Sequence, residues 1–256
     1  MPTWDPDRYL HFSEERSRPF SDLLAHVGAE EPARVVDLGC GPGQLTATLA
    51  EKWPHAEILG IDSSGAMIEA SAAHASAHVR FEVGDIRRWR PAEPADVLIS
   101  NAALQWVPGH RELLPSLVES LAPGGWFAFQ VPGNFDEPSH RLLHELAADP
   151  RFAEATRQVE RPSASAAATY LADLSALGCQ VDAWETTYLH VLEGPDPVFT
   201  WISGTGARPV LQALSAPERE VFESEYKALL RDAYPTRDFG VLLPFRRVFV
   251  VAQKAS

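Results

Sequence analysis

The chain contains very little cysteine. Cys40 and Cys179 are the two cysteines among 256 residues, too few for the disulfide framework of a small secreted protein. Cys40 also lies in a glycine-rich segment that we interpret as a ligand loop, where we expect a reduced thiol. The shortage of cysteine therefore predicts a cytoplasmic protein.

Long apolar runs are also lacking. No uninterrupted apolar stretch reaches the length needed to cross a membrane. The first thirty residues carry charges throughout and contain no apolar segment of the signal-peptide type. We therefore expect neither a recognisable secretion signal nor a membrane-embedded protein. The length suits one α/β domain with an elaboration, so residues 1–256 are predicted to form a single domain.

Positive charge is scarce. The formal net charge is −13, and the 22 basic residues include three lysines, so 22 minus 3 leaves 19 arginines. Binding to nucleic acid or to an anionic membrane is driven by clustered basic residues, so we expect neither partner. A small-molecule substrate is favoured, and we expect a monomer or a weak dimer. The forked donors of arginine suit carboxylates.

The strongest signal is the segment Val35-Val36-Asp37-Leu38-Gly39-Cys40-Gly41-Pro42-Gly43. An apolar run that ends in an acid, a glycine-rich turn and the helix-like Gln44–Lys52 predict a strand, a ligand loop and a helix. Open α/β sheets hold a cofactor at such a turn, and glycine there permits positive φ and close approach of the ligand. The spacing is G-x-G-x-G, whereas dinucleotide-binding enzymes have G-x-G-x-x-G.

Two further predicted strands also end in an acid. Glu57–Asp62 brings Asp62 about 25 residues after Asp37, where a carboxylate can accept both hydroxyl groups of a ribose. Asp62 or Ser63 could equally begin the helix predicted over Ala66–His74, and this alternative is compatible with the same geometry. Val79–Asp85 ends in Asp85, which can accept the exocyclic amine of adenine, with Ile86 against the ring face.

The first half of the chain alternates strands and helices. Strands are predicted at Asp96–Asn101 and Trp126–Val131, with Ala102–Trp106 at the carboxyl edge of the sheet. Between the strands, a helix is predicted over Glu112–Leu121, closed by the helix-stop signal Pro123-Gly124-Gly125. This alternation implies a parallel sheet with right-handed crossovers.

The second half is mostly helical. Helices are predicted over Pro138–Ala148, Ala167–Leu177 and much of Pro197–Tyr234, and they accompany the strands Val181–Leu192 and Arg246–Ala252. We expect the helical segments to cap a pocket at the sheet edge. For residues 1–33 two interpretations are equally good: a segment that folds over the cofactor, or an amphipathic helix on the flank of the sheet.

These motifs resemble a known enzyme class. Asp37 through Gly43, Asp62 with Ser63, Asp85 and Asn101–Trp106 occur in the order of the class I S-adenosylmethionine-dependent methyltransferases, over Arg34–Val131. The rest of the chain is similar to the trans-aconitate methyltransferases. The segments that carry this resemblance are Tyr9–Phe12 with Glu15–Pro19, Asn101–Trp106, Trp184–Tyr188 and Pro244–Arg247.

The resemblance implies a Rossmann-like α/β sheet, mostly parallel with an antiparallel last strand, and a helical cap. Residues 34–131 would form the cofactor-binding half, and 1–33, 132–180 and 195–240 the cap and substrate-binding segments. The implied cofactor is S-adenosylmethionine, and its expected contacts are Asp37, Gly39, Cys40, Gly41, Gly43, Asp62, Ser63, Met67, Asp85, Ile86, Asn101 and Trp106. The expected substrate contacts are Tyr9, His11, Arg18, Gln105, Tyr188, Trp201, Arg208 and Arg247.

The implied reaction is transfer of a sulfonium methyl group to a carboxylate of trans-aconitate or a related tricarboxylic acid. A carboxylate is already ionised at neutral pH, so we assign no catalytic base. Arg18, Arg208 and Arg247 are the candidates for holding the other carboxylates, and a surface ion pair is the alternative for each. We favour Arg247 over its neighbour Arg246.

Three other functions stay open at this point. They are methylation of another small molecule, NAD-dependent oxidation on a similar sheet, and binding of the cofactor without turnover. His140 and His144 share a helix face beside Glu145, but their order is not H-E-x-x-H and no third ligand is evident. We therefore predict no metal site.

Overall fold

The structure is a computed structural model that describes residues 13–256, with side chains from residue 17 onward. Tyr9 and His11 lie outside the described residues. The described chain divides into two compact units. One, the sheet unit, contains 13–132, Ala164–Thr186 and Arg247–Ser256; the other, the helical unit, contains Gly133–Ser163 and Thr187–Arg246.

One mixed sheet runs through the described chain. Its eight strands are β1 (Arg34–Leu38), β2 (Glu57–Asp62), β3 (Val79–Val83), β4 (Ala95–Asn101), β5 (Leu121–Pro132), β6 (Cys179–Leu192), β7 (Thr236–Arg237) and β8 (Gly240–Lys254). The spatial order is β3-β2-β1-β4-β5-β8-β6, and β7 pairs with β8. The first five strands pair in parallel and β8 is antiparallel to β5. This order confirms the predicted fold class.

Ten α-helices accompany the strands in the described residues. They are α1 (Ser13–Ala25), α2 (Gln44–Lys52), α3 (Gly65–Ser71), α4 (Leu114–Glu119), α5 (Pro138–Ala147), α6 (Ala153–Thr156), α7 (Ala167–Ala176), α8 (Pro197–Ser203), α9 (Arg208–Ala213) and α10 (Ala216–Ala233). Short 3-10 turns occupy Ala72–His74, Leu104–Trp106 and His110–Leu113. None of the described helices is long and apolar enough to cross a membrane.

The apolar runs of the sequence become the central strands. Val35 and Leu38 of β1 and Val97 and Leu98 of β4 are fully buried, as expected for parallel strands covered on both faces. The order reverses where β1 lies between β2 and β4. Ligands of open α/β sheets bind at the carboxyl ends of the strands beside such a reversal.

Helix α7 belongs to the sheet unit. Tyr170 and Leu174 of this helix are fully buried in the sheet core, and the Tyr170 ring meets Phe129 edge-on at 5.1 Å. The sequence assigned residues 132–180 to the cap, whereas the structure groups the part from Ala164 onward with the sheet. The division into one domain with a cap stays a prediction.

The helix predicted over Glu112–Leu121 was wrong at its C-terminal end. Helix α4 ends at Glu119, and Leu121 already pairs with Ala95 in the sheet. The glycine signal after it lies inside β5, where Gly124 has φ +73°. The cause is an irregular start of β5, whose register against β4 shifts between Ala95 and Val97.

Smaller differences concern element ends. The last strand begins at Gly240, earlier than predicted, and β3 ends at Val83 without reaching Asp85. In the N-terminal segment, α1 packs on β5 and buries Phe20 and Leu23. For residues 13–25 the structure therefore agrees with the flank-packing interpretation.

In the helical unit, α5 packs against α10. The hydroxyl groups of two tyrosines bind the first turn of α5: Tyr234 accepts from the backbone N–H of Ser139 at 3.0 Å, and Tyr226 donates to the Ser139 carbonyl at 2.5 Å. The first bond satisfies a backbone N–H that a helix start leaves without an intrahelical partner, and the second adds a hydrogen bond to a carbonyl of the same turn. They fix the start of α5 against α10.

Candidate cofactor-binding site

The glycine loop joins β1 to α2 in a left-handed conformation. Gly39, Gly41 and Gly43 have φ values of +84°, +55° and +87°, which side chains with a Cβ rarely adopt. A Cβ on Gly39 would lie 2.2 Å from that of Ala103, and one on Gly43 would lie 2.8 Å from Phe81. A Cβ on Gly41 would meet no described atom within 4 Å. Gly41 therefore leaves room for a ligand, whereas its neighbours are needed for packing.

Asp62 links this loop to the end of β2. Its two carboxylate oxygens accept from the backbone N–H groups of Gly41 at 3.0 Å and Ser64 at 2.8 Å. Burial raises the pKa of this carboxyl despite those hydrogen bonds. An ionised carboxylate can accept about four hydrogen bonds, so capacity remains for the two hydroxyl groups of a ribose.

Asp37 is the most deeply buried acid of the loop. It is 2 % exposed, and its Oδ2 accepts from the Thr46 hydroxyl at 2.6 Å. Oδ1 has no hydrogen-bond partner among the described residues. Burial, and secondarily the charge of Asp62, raises the pKa of Asp37 to about 7 although Thr46 opposes the shift. Such a carboxylate suits a cationic or hydrogen-bonding ligand group.

Asp85 has a different environment. The Arg87 side chain donates to both of its oxygens, with Nη2 at 2.7 Å from Oδ2, and the Arg87 backbone N–H donates as well. These bonds lower the pKa of Asp85. Ile86 belongs to the sheet core. The adenine roles of both residues stay predictions, and Arg87 already uses much of the acceptor capacity of Asp85.

The remaining loop residues vary in exposure. Met67 is buried in α3, Ser63 is exposed, and Ser64 caps α3 by accepting from Met67 N. Cys40 and Cys179 are free thiols. Burial, followed by the charges of Asp37 and Asp62, raises the pKa of Cys40, so this thiol is protonated and is a poor nucleophile.

A hydrogen-bonded chain of three side chains crosses the carboxyl end of β4. Gln130 of β5 donates to Asn101 Oδ1 at 2.7 Å and accepts from Arg247 Nη1 at 3.3 Å. Arg247 is 5 % exposed. The sequence predicted Asn101 and Arg247 but missed Gln130. The signal was available, because Gln130 is the one polar residue in the buried run Phe127–Val131.

The turn after β4 packs against the glycine loop. Ala102 has φ +53°, which is unusual for a residue with a side chain and clusters at functional sites. Gln105 is buried and donates to the Ala102 carbonyl at 2.6 Å, while its Oε1 has no partner among the described residues. Gln105 therefore offers an acceptor, which suits a donor group better than a carboxylate. Trp106 beside it is half-buried.

The remaining predicted substrate contacts are distributed over both units. Arg18 is an exposed residue of α1. In the helical unit, Tyr188 and Trp201 are buried and Arg208 is half-buried at the start of α9. Trp201 lies 4.7 Å, centroid to centroid, from His190, which the sequence did not single out. Substrate binding by these residues stays a prediction.

The two histidines of α5 do not form part of a metal cluster. Burial lowers the pKa of His140 to about 4 and also lowers the pKa of His144. Across residues 13–256, no group of three or more histidine, cysteine or acidic side chains could hold a metal ion.

The site residues present fit S-adenosylmethionine. Asp62 would accept the ribose hydroxyls, the space at Gly41 admits the ligand close to the backbone, and Asp37 offers an unsatisfied oxygen to the ammonium group. The contacts themselves are proposals.

Comparison with known proteins places this site in a family. Residues 35–125 match the family described as "Methyltransferase domain". The chain is 51% identical to trans-aconitate 2-methyltransferase of Streptomyces avermitilis over 100% of this chain and 98% of that protein. It is 50% identical to the enzyme of the same name from Rhodococcus jostii, over 98% and 99% of the two chains.

A solved structure agrees in fold. Phosphoethanolamine N-methyltransferase 2 of Haemonchus contortus, solved with S-adenosylhomocysteine, superposes with a TM-score of 0.56 at 16% identity, over 93% of this chain and 53% of that one. At that identity the likeness concerns the fold alone. The full-length identity to the Streptomyces and Rhodococcus enzymes carries more: the chain belongs to the trans-aconitate 2-methyltransferase family of S-adenosylmethionine-dependent methyltransferases.

Proposed function

We propose that this protein methylates one carboxylate of trans-aconitate and releases the monomethyl ester. The observation that carries the proposal is the 51% identity, over the full chain, to a protein named for this activity. The family assignment excludes the NAD-dependent oxidoreductase. Another small acceptor remains the alternative that the assay below tests.

The proposed reaction requires little proton transfer by the protein. S-Adenosylmethionine supplies a sulfonium methyl group, and an ionised carboxylate oxygen can displace it from sulfur without a base. Burial raises the pKa of Cys40, so this thiol of the loop is not a thiolate nucleophile. The chain contributes binding and orientation, and good orientation can supply about 7–11 kcal/mol of barrier reduction.

The loop residues have different roles in the proposed binding of the cofactor. Asp62 and Asp37 bind polar groups of the ligand, and the left-handed glycines bring the backbone close to it. Arg18, Arg208 and Arg247 remain the proposed partners of the substrate carboxylates, each to be tested singly. Residence in the cytoplasm, absence of a nucleic-acid partner and a monomeric or weakly dimeric state are further proposals, which rest on composition and charge.

The decisive assay measures methyl transfer from labelled S-adenosylmethionine to a panel of dicarboxylic and tricarboxylic acids, with mass spectrometry of the ester. We expect trans-aconitate to have the highest kcat/KM. A panel in which a non-carboxylic acceptor is methylated faster, or in which trans-aconitate is inert, would refute the proposal.

The arginine assignments need separate variants. Arg18→Gln, Arg208→Gln and Arg247→Gln should each raise KM for trans-aconitate and lower kcat/KM more than tenfold, because losing a desolvated charge partner costs about 2–5 kcal/mol. Arg219→Gln is the matched control, since Arg219 pairs with Glu223 one turn away on α10. An arginine variant that behaves like this control does not bind the substrate. Thermal melting of Arg247→Gln checks that this buried change leaves the protein folded.

A further inference from the structure

Gln130 is a polar side chain in an apolar part of β5. It is 1 % exposed, and both Phe129 and Val131 beside it are fully buried. A buried amide costs free energy unless its groups are hydrogen-bonded. Both ends of the Gln130 amide have partners, Arg247 on one side and Asn101 on the other. The three residues lie on three neighbouring strands, β8, β5 and β4.

The strand register explains how they meet. Asn101 pairs directly with Gln130, and Arg247 pairs with Pro132, two residues further along β5. Alternate residues of a strand point to the same face, so Gln130 and Arg247 are diagonal neighbours on one face of the antiparallel pair. Diagonal neighbours are within reach of long side chains.

Arginine fixes the direction of the hydrogen bonds. A guanidinium group only donates, so the amide oxygen of Gln130 must face Arg247. The amide nitrogen of Gln130 must then face Asn101, and it meets the Oδ1 atom of that residue. What Asn101 has left to offer is Nδ2, a donor of two hydrogen bonds, at the carboxyl end of β4 where ligands of such sheets bind.

We infer that Gln130 is a positioning residue of the methyl-transfer site, which holds Asn101 so that its Nδ2 donates to a carboxylate oxygen of a bound ligand. The inference rests on the proposed function, because the cofactor and the acid substrate both carry carboxylates. Arg247 orients the amide of Gln130, Gln130 orients the amide of Asn101, and Asn101 contacts the ligand. Two probes separate the sources: S-adenosylhomocysteine alone, and trans-aconitate added to protein saturated with S-adenosylhomocysteine.

The first experiment tests the direction. Asn101→Asp keeps the acceptor that Gln130 needs but presents only oxygens to the ligand. Calorimetry should show that Asn101→Asp binds one of the two probes at least about tenfold more weakly than the unchanged protein does, since a hydrogen bond to a charged group is lost. Asn101→Asp should also bind that probe more weakly than Asn101→Ala does. If Asn101→Asp binds both probes within twofold of the unchanged protein, Oδ1 faces the ligand and the inference is wrong.

The second experiment tests the transmission. Gln130→Glu can accept from Arg247 but cannot donate to Asn101, so Asn101 must turn its Nδ2 inward. Binding of the same probe should fall about tenfold in Gln130→Glu. When Asn101→Ala is already present, adding Gln130→Glu should cause no further loss of binding. An equal loss in the Asn101→Ala background would show that Gln130 acts independently of Asn101 and would overturn the inference.

Gln253→Glu is the matched control. Gln253 lies six residues after Arg247 on β8 and donates to the Gly124 carbonyl at 3.1 Å, so the same change of charge should alter binding less than twofold. Thermal melting checks folding, and Asn101→Asp decides the inference if Gln130→Glu does not fold. Methyl transfer by the unchanged protein tests the proposed function separately, because probe binding by the variants needs no turnover.

Discussion

The acids of the glycine loop and those of the helical unit differ in their partners. Asp37 and Asp62 are bound by a hydroxyl group and by backbone N–H groups, and burial raises the pKa of each. Asp149 and Glu225 of the helical unit both pair with Arg151 at the surface, and its hydrogen bonds lower the pKa of both. The chain as a whole has a net charge of −13, but these two surface acids are balanced by Arg151. The loop acids can be balanced by a cationic ligand.

The largest expected effect comes from packing, which distinguishes Gly39 from Gly41 within the loop. Gly39→Ala adds a Cβ 2.2 Å from that of Ala103 at a φ of +84°, which combines backbone strain with overpacking. We expect the free energy of unfolding to fall by about 3–5 kcal/mol, measured by denaturant titration without cofactor. Gly41→Ala is the control, because its Cβ meets no described atom within 4 Å and should cost about 1–2 kcal/mol of backbone strain. Equal losses would contradict this assignment of roles.

The pH dependence of stability should be opposite for the two kinds of acid. The folded-state pKa of Asp37 is about 7, above its ordinary value of 3.8, so the folded protein binds this proton more tightly than the unfolded chain. Stability without cofactor should therefore fall as pH rises from about 4 to about 7, by on the order of 1 kcal/mol per pH unit. In unfolding measured across this range, Asp37→Asn should remove the part of that slope that Asp37 contributes and leave a smaller slope from Asp62, whose pKa burial also raises.

Asp149 supplies the contrasting case. Its pKa is lowered to about 2 by Arg151, so its contribution is present above about pH 4 and is lost as pH falls towards 2. The stability difference between Asp149→Asn and the unchanged protein should be constant from pH 4 to 7. If the slopes of Asp37→Asn and the unchanged protein coincide there, Asp37 is not the titrating group.

The two kinds of acid should also differ in their effect on ligand affinity. Asp62→Ala should weaken S-adenosylmethionine binding by about 1.5–3 kcal/mol, the usual loss for a hydrogen bond to a charged group, with the fold intact. Asp149→Ala, which removes a surface acid, should leave the affinity unchanged within twofold. Calorimetry decides, and an unchanged affinity in Asp62→Ala would remove the ribose assignment.

The sequence predicted those parts of the fold that local patterns specify. β2 and α2 have the predicted bounds because each is an uninterrupted pattern with a clear end, at Asp62 and at Lys52. The start of β5 was mispredicted because Pro123-Gly124-Gly125 has the composition of a helix stop. Only the pairing of Leu121 with Ala95, which is not local, shows that the strand has already begun.

The candidate site also contains residues that a local sequence pattern predicts and residues that it does not. The loop glycines and Asp62 follow from a motif with fixed spacing. Thr46 and Gln130 were missed because their roles depend on partners 9 and 29 residues away in sequence, Asp37 and Asn101. The pairing of Asp85 with Arg87 could not be predicted either, because it depends on side-chain conformations that a pattern of residue types does not specify.

Asp85 gives the smallest expected effect, because it shares features of both kinds of acid. It lies just after the end of a strand of the cofactor-binding half, whereas Asp62 is the last residue of one, and an arginine holds it, as Arg151 holds Asp149. Its oxygens already accept four hydrogen bonds from three N–H groups of Arg87, because the Nε–H is shared between both oxygens. Little acceptor capacity is left for an adenine amine, so Asp85→Ala should weaken S-adenosylmethionine binding by less than about 1 kcal/mol. The double variant Asp85→Ala, Arg87→Ala should bind S-adenosylmethionine no more weakly than Asp85→Ala alone, since the only role assigned to Arg87 here is to hold Asp85. If calorimetry instead finds that Asp85→Ala loses as much affinity as Asp62→Ala, the adenine amine competes successfully with Arg87, and the acid must turn toward the ligand on binding.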